Sequence, residues 1–174
     1  MSYIKGYDPD TLREIVDPMT CRERLDELDE QRSLPALLER VWLLKVLGSL
    51  DDALALASES VRVARMAGTR KDLVRSRVLR ATVLQHRGDH DAAAAELETC
   101  AFQAEGAGWT SLAAFAREHQ GKNLYEAGDF DAAREAFKTA LFHRHEAGAD
   151  PRRIEAALLA IDAAERRQSE RALA

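Results

Sequence analysis

Glycine recurs along this chain at a fixed interval. Two series share the same spacing, and in the second series each glycine follows an alanine. The series are Gly48, Gly88 and Gly128, and Gly68, Gly108 and Gly148. Because glycine adopts left-handed backbone geometry without steric cost, it commonly marks turns and helix ends. Two evenly spaced series therefore predict evenly spaced turns and a structural repeat whose period is the distance from Gly48 to Gly88.

Each segment between the glycines is long enough for about four turns of helix. In the first helix of each repeat, apolar residues follow spacings of 4, 3 and 3, which places them on one buried face. They are Leu34, Leu38, Val41 and Leu44, then Val74, Val78, Ala81 and Leu84, then Ala114, Gly121 and Leu124, with Glu118 interrupting the third set. The second helices are predicted at Leu50 to Ala67, His90 to Ala107 and Phe130 to Ala147, each ended by an Ala-Gly pair acting as a cap.

The same register predicts the domain organisation. Repeats occupy residues 31–68, 69–108 and 109–148. Residues 149–174 hold a terminal capping helix at 151 to 167, which begins at Pro151 and continues the apolar columns. Residues 1–30 hold an N-terminal segment and a short capping helix after Pro18, with Cys21, Leu25 and Leu28 on one face. Periodicity alone does not place residues 1–17.

The stretch from Gly121 to Leu141 resembles a tetratricopeptide repeat. A small residue stands at the predicted helix crossing, followed by a Gly-acidic turn, an alanine and a larger apolar residue four positions on. These columns are Val41, Ala81 and Gly121; Ala53, Ala93 and Ala133; and Ala57, Leu97 and Phe137. The long period is similar to that of the long-repeat subgroup of this family. The resemblance implies an all-α, right-handed superhelix of helical hairpins, with three repeats between capping helices.

The resemblance also implies a peptide-binding groove lined by the first helices. The stripe one residue beyond the buried columns, with its immediate neighbours, would face this groove. Its residues are Glu39, Trp42, Lys45, Arg75, Leu79, Thr82, Gln85, His86, Phe115, His119, Lys122 and Tyr125. Aromatic, basic and amide side chains together suit an extended or helical peptide of some acidic character. The alternative is that these are ordinary surface residues, and that Trp42 packs against the N-terminal segment.

Two other functions remain open. The outer side of the last helix carries Leu159 and Ala163, which favours self-association into a homodimer. Arginines cluster from the end of repeat one into repeat two, which favours either ion pairs between adjacent helices or an acidic ligand. Nucleic-acid binding through this cluster ranks last, because the chain has a net charge of −5.

The remaining patterns exclude several classes of function. No phosphate-binding loop, nucleophile elbow or His-Glu-x-x-His motif occurs, so the chain is not expected to be an enzyme or to hold a cofactor. The five histidines and two cysteines lack the spacing of metal ligands, and the cysteines are expected to be buried thiols. No apolar run of membrane-spanning length and no signal-peptide layout is seen, so a cytoplasmic protein with a protein or peptide partner is expected.

Overall fold

The computed structural model describes residues 3–173, which leaves the extreme ends of the first and last predicted segments outside the described residues. The described chain is almost entirely helical. Its two strands are β1 (Ile4–Tyr7) and β2 (Glu14–Val16). Its helices are α1 (Pro18–Glu27), α2 (Leu34–Val46), α3 (Leu50–Ala67), α4 (Arg70–Arg87), α5 (His90–Gly106), α6 (Thr110–Glu126), α7 (Phe130–Glu146) and α8 (Pro151–Leu173). The predicted all-α class is confirmed. The predicted second helices correspond to α3, α5 and α7, and each begins at the predicted residue.

The turns depend on glycine in two different ways. Gly88 and Gly128 have φ of 87° and 84°, in the left-handed region that ends a helix at low cost. Gly68 is different, because its φ is −95° and its backbone is extended. A β-carbon at Gly68 would lie 2.9 Å from the carbonyl oxygen of Ala64, so this position needs glycine for close approach. Gly68 is the C-cap of α3, as predicted, but its backbone is extended rather than left-handed.

The chain divides into two compact units, Met1–Asp89 and His90–Ala174. In the first, α2, α3 and α4 pack on one another around a cluster of small aliphatic side chains. Its buried members are Leu38, Val41, Ala53, Ala57, Leu79 and Val83. A second cluster joins α1 to α2 and contains Cys21, Leu28, Ala36 and Leu43. These contacts pack α1 against α2.

Residues before α1 form a small antiparallel hairpin that periodicity did not predict. Ile4 pairs with Val16 and Tyr7 with Glu14. The Asp8 carboxylate closes the turn, accepting hydrogen bonds from the backbone N–H of Asp10 at 3.0 Å and of Thr11 at 2.7 Å. Strands of four and three residues are too short to give a clear alternating pattern in the sequence.

In the second unit α5, α6, α7 and α8 run antiparallel in chain order. The start of α5 meets the end of α6, where His90 Nδ1 lies 2.9 Å from Asn123 Oδ1. The end of α8 meets the start of α7, where Arg171 donates to the Gly128 carbonyl at 3.0 Å. The α8 helix continues to Leu173, beyond the predicted end at 167, because neither glycine nor proline interrupts it. Over the described residues, no helix has the length and apolar content needed to cross a membrane.

Candidate binding surface

The predicted stripe begins on α2, where the chain's own N-terminal residues cover it. The Tyr3 ring centroid lies 6.1 Å from that of Trp42, and the Tyr3 hydroxyl donates to Glu39 Oε1 at 3.5 Å. Arg24 of α1 donates to both oxygens of the Glu39 carboxylate, at 2.8 and 3.1 Å. These hydrogen bonds hold the pKa of Glu39 below its usual value, against the opposing effect of burial.

Lys45 is also occupied from within the chain. Its side chain is 1% exposed and its ammonium lies 3.6 Å from Glu14 Oε1, on strand β2. Lys45 therefore has no accessible surface, which corrects its assignment to an open groove, while Glu39 and Trp42 are half-buried beside the N-terminal residues. The physical reason is the hairpin and α1, which lie against α2. The alternative, that Trp42 packs against the N-terminal segment, is the one the structure shows.

On α4 most of the predicted stripe residues are buried. Leu79 belongs to the apolar cluster, and Thr82 is fully buried with its hydroxyl donating to the Leu79 carbonyl at 2.8 Å. Gln85 is 1% exposed, which leaves it no accessible surface for a peptide. His86 is half-buried, with Nδ1 3.0 Å from the Thr82 carbonyl oxygen. Arg75 is exposed and remains open to a partner.

On α6 the four predicted residues form an aromatic and cationic row that is largely buried. Phe115 is half-buried and meets His119 edge-on, with ring centroids 4.6 Å apart. His119, Lys122 and Tyr125 are 5%, 7% and 5% exposed. Tyr125 packs edge-on against Phe130, the first residue of α7, at 5.3 Å. The row is therefore part of the packing of the second unit, with Phe115 as its most accessible predicted member.

Glu118, which interrupts the apolar column, is the centre of a largely buried ion cluster. Its carboxylate lies 3.4 Å from Lys122 Nζ and accepts a short hydrogen bond from Arg144 of α7. Burial alone would raise the pKa of Glu118, but the charges of Lys122, His119 and Arg144 outweigh burial and hold it at about 2. The sequence marked Glu118 as a departure from the apolar pattern. It gave no sign of Arg144, whose position in the next helix depends on the fold.

A second ion cluster joins α5, α6 and α7. Arg117 donates from Nε and Nη2 to the two oxygens of Glu105, at 2.7 and 2.8 Å. His143 Nε2 lies 3.3 Å from Glu105 Oε1. The hydrogen bonds from Arg117 lower the pKa of Glu105, and burial partly opposes them. Three helices are thereby held together through one carboxylate.

The stripe is open where it continues onto α8. A shallow recess of about 740 Å³ follows this helix. It is lined by Leu159, Asp162, Glu165, Arg166, Ser169, Glu170 and Leu173. Leu159, Asp162 and Glu165 stand one full period after His119, Lys122 and Tyr125. The recess thus lies on the sequence continuation of the predicted stripe, which the sequence prediction had not extended to α8.

The two residues predicted for self-association differ in exposure although both lie on α8. Leu159 is 58% exposed and lines the recess, as predicted for an outer face. Ala163 is 1% exposed and packs within the second unit, so it has no accessible surface there. Its β-carbon points into the core face that it forms with Ala160 and Ala164. The assignment of Ala163 to a self-association surface is therefore corrected.

The arginine cluster of the first unit is partly paired. Arg87 lies 2.6 Å from Asp51 of the adjacent helix, and Arg62 lies 3.9 Å from Glu59 on its own helix. Arg65, Arg70 and Lys71 are exposed. Within residues 3–173, no three His, Cys, Asp or Glu side chains are grouped in a way that could hold a metal ion.

Comparison with known proteins adds no family to this description. No protein-family model matches the sequence, and no curated protein matches it significantly.

Proposed function

We propose that this chain is a non-enzymatic, cytoplasmic protein-binding module of the tetratricopeptide type. Its three helical hairpins, flanked by capping helices, would form a right-handed superhelix that holds a peptide or a helix of a partner protein. The partner would lie on the stripe carried by the first helices, as the resemblance implies. The contact set differs from the one expected from sequence, because the N-terminal hairpin and close packing cover much of the stripe on α2, α4 and α6.

One observation carries this proposal: the recess on α8 lies on the fourth copy of the stripe. Leu159 and Leu173 supply exposed apolar contacts at its two ends, with 58% and 90% of their surface accessible. Asp162, Glu165 and Arg166 lie between them and offer charges of both signs. An apolar contact flanked by polar groups is the usual composition of a site that binds a helix or peptide. Phe115 and Arg75 are the accessible groups on the earlier copies.

Site-specific photo-cross-linking in a source lysate tests the proposal. A photoreactive phenylalanine analogue is placed at Leu159, and in a matched protein at Arg62, which is exposed on α3. We expect a discrete protein adduct from position 159 and none of the same mass from position 62. The adduct should weaken when Asp162→Lys and Arg166→Glu are introduced together. Equal adducts from both positions, or adducts unaffected by the charge changes, would refute a partner site in this recess.

Self-association through α8 is a second candidate. Leu159, Asp162, Arg166, Ser169 and Leu173 follow spacings of 3 and 4, which places them on one face of α8. Pairing with the α8 of a second copy would cover the exposed leucines and bring acidic and basic residues together. Sedimentation velocity over a hundredfold concentration range distinguishes the candidates. A dimer abolished by Leu159→Glu would favour this one, whereas a monomer throughout would exclude it.

A further inference from the structure

Two phenylalanines on the second helices of the second unit are open to solvent. Phe102 of α5 is 75% exposed and Phe142 of α7 is 59% exposed. Each belongs to the same short pattern, Thr-x-x-Phe, starting at Thr99 and at Thr139. Large apolar side chains are costly to leave in water, because burying them is the main favourable contribution to folding and association. Paired exposure of this kind indicates a contact surface.

The two phenylalanines occupy equivalent positions on parallel helices. Phe102 stands as far from His90, the first residue of α5, as Phe142 stands from Phe130, the first residue of α7. Both helices run antiparallel to α6, which lies between them in the chain, so they run parallel to each other. Their proximity is shown directly by Glu105 and His143, which follow the two phenylalanines closely and contact each other.

The ion cluster around Glu105 fixes this surface. Arg117 holds the carboxylate from α6 through two hydrogen bonds, and His143 holds it from α7. The His143 ring also lies edge-on to Phe142, with centroids 5.5 Å apart. Because Glu105 and His143 join α5 to α7, the two helices that carry Phe102 and Phe142 are connected before any partner binds. A surface prepared in this way loses less entropy on association.

On α5 and α7, exposed acidic residues outnumber exposed basic ones. The exposed acidic residues of α5 and α7 are Asp91, Glu98, Asp131, Glu135 and Glu146. Among the described residues of these two helices, Lys138 is the exposed lysine or arginine, and His145 is exposed as well. The sequence shows the same bias, since residues 90–174 have 15 Asp and Glu against 10 Lys and Arg, while residues 1–89 have 15 of each. The whole net charge of the protein lies in the second unit.

We infer that the paired surface of Phe102 and Phe142 is a docking site for a basic amphipathic helix of a partner protein. Apolar residues on one face of that helix cover the two rings, and lysine or arginine residues at its edges meet the acidic groups. Nucleic acid and anionic membranes are repelled by this charge. The site lies on second helices and is independent of the recess on α8, so either can exist without the other.

A synthetic helical peptide serves as the probe. It carries leucines on one face, lysines elsewhere and a fluorophore, and binding to the full chain is followed by fluorescence anisotropy. A second peptide has glutamate in place of every lysine. We expect the basic peptide to bind and the acidic peptide not to bind. The Phe102→Ala/Phe142→Ala protein should bind the basic peptide at least about tenfold more weakly, as for loss of central aromatic contacts.

The matched control is Met66→Ala, which removes an exposed apolar side chain from α3 in the other unit. We expect it to bind within about twofold of the wild type, since no contact with the peptide is lost. A charge variant, Glu98→Lys/Glu146→Lys, should weaken binding with the phenylalanines intact. The substituted residues, Phe102 and Phe142 in one variant and Glu98 and Glu146 in the other, are all exposed. Circular dichroism should therefore show that both variants are folded like the wild type.

Four outcomes would overturn the inference. The first is equal binding of the basic peptide to wild type and to Phe102→Ala/Phe142→Ala. The second is equal binding of the acidic and basic peptides to the wild type. The third is a wild-type dimer in sedimentation that the phenylalanine substitutions dissociate, because the occupant would then be a second copy of this chain. The fourth is weaker binding of the basic peptide to Leu159→Ala alone, because the peptide would then lie in the α8 recess rather than at this site.

Discussion

The ring of Phe137 lies directly against the backbone of Gly121. A β-carbon at position 121 would come within 2.5 Å of two ring carbons, closer than side chains approach one another. Phe137 itself is completely buried. In the first unit the corresponding residues, Val41 and Ala57, share one cluster with the sizes reversed. The helix crossing is therefore filled either by a medium and a small side chain or by one large side chain against a glycine.

The double substitution Gly121→Ala/Phe137→Leu should lower the free energy of unfolding by less than the sum of the two single substitutions. Alanine at 121 gains about 1 kcal/mol in helix propensity but overpacks the core, which typically costs about 1–3 kcal/mol. We expect a net loss of about 0–2 kcal/mol in the free energy of unfolding. Phe137→Leu alone leaves a cavity and costs about 1–3 kcal/mol. In the double variant, the smaller side chain at 137 leaves room for the new methyl group.

Urea unfolding of the four proteins measures the coupling. We expect the double variant to be at least about 1 kcal/mol more stable than the sum of the single effects predicts. The control is Gly106→Ala, which should not destabilise the protein, because a β-carbon at position 106 meets nothing within 4 Å. Additive losses at 121 and 137 would mean that the ring does not set the size of this position.

Glu118→Gln should destabilise the protein at neutral pH. The substitution leaves Arg144 and Lys122 buried beside an uncharged amide, and removing one partner of a buried ion pair costs about 3 kcal/mol. The folded-state pKa of about 2 lies below the ordinary value of 4.5. The stabilisation is therefore complete above about pH 4.5 and is lost as the pH falls towards about 2.

Unfolding free energies measured between pH 7 and pH 2.5 check this prediction. The difference between wild type and Glu118→Gln should be largest near neutrality and should shrink below pH 4.5. Glu155→Gln, an exposed change on α8, should stay within about 0.5 kcal/mol of wild type. A difference that is constant across the whole pH range would show that charge at Glu118 is not what stabilises the fold.

The helices could be predicted from sequence because their signals are local. The left-handed glycines and the apolar period of each segment depend on a few neighbouring residues, and α3, α5 and α7 begin where these signals place them. The hairpin at β1 and β2 carries no such signal. Its register depends on Asp8 closing the turn and on contacts with α2, which lies about 30 residues away.

The binding surface was harder to predict because accessibility depends on the whole fold. A residue one position beyond a buried column faces a predictable direction, but the sequence does not say what else occupies that direction. Tyr3 and Glu14 fill it on α2, where they contact Trp42, Glu39 and Lys45. On α8 the same direction is open. The exposed pair Phe102 and Phe142 was missed because a phenylalanine in an amphipathic helix is ordinarily assigned to the core.

Trp42→Ala should reduce stability by about 3 kcal/mol, since the ring joins two apolar clusters and packs against Tyr3. Arg75→Ala, on the exposed side of α4, should change stability by less than about 0.5 kcal/mol. Thermal unfolding followed by circular dichroism compares them. A Trp42→Ala protein as stable as the wild type would show that the N-terminal segment does not depend on this ring. If Trp42→Ala no longer binds a partner, the cause is therefore its loss of folding stability. If Arg75→Ala no longer binds a partner, the cause is the loss of a direct contact.

The two cysteines should be unreactive in the folded protein. Cys21 and Cys100 are buried thiols outside any disulfide, and burial raises the pKa of Cys21, so little thiolate forms near neutral pH. A chromogenic disulfide reagent should report two thiols per chain in denaturant and far slower reaction without it. Cys21→Ser and Cys100→Ser, each with one remaining thiol, assign the rates. Because Cys100 lies close in sequence to exposed Phe102, rapid labelling of Cys100 in the folded protein would mean that α5 turns a different face to solvent, and the docking surface would have to be abandoned with it.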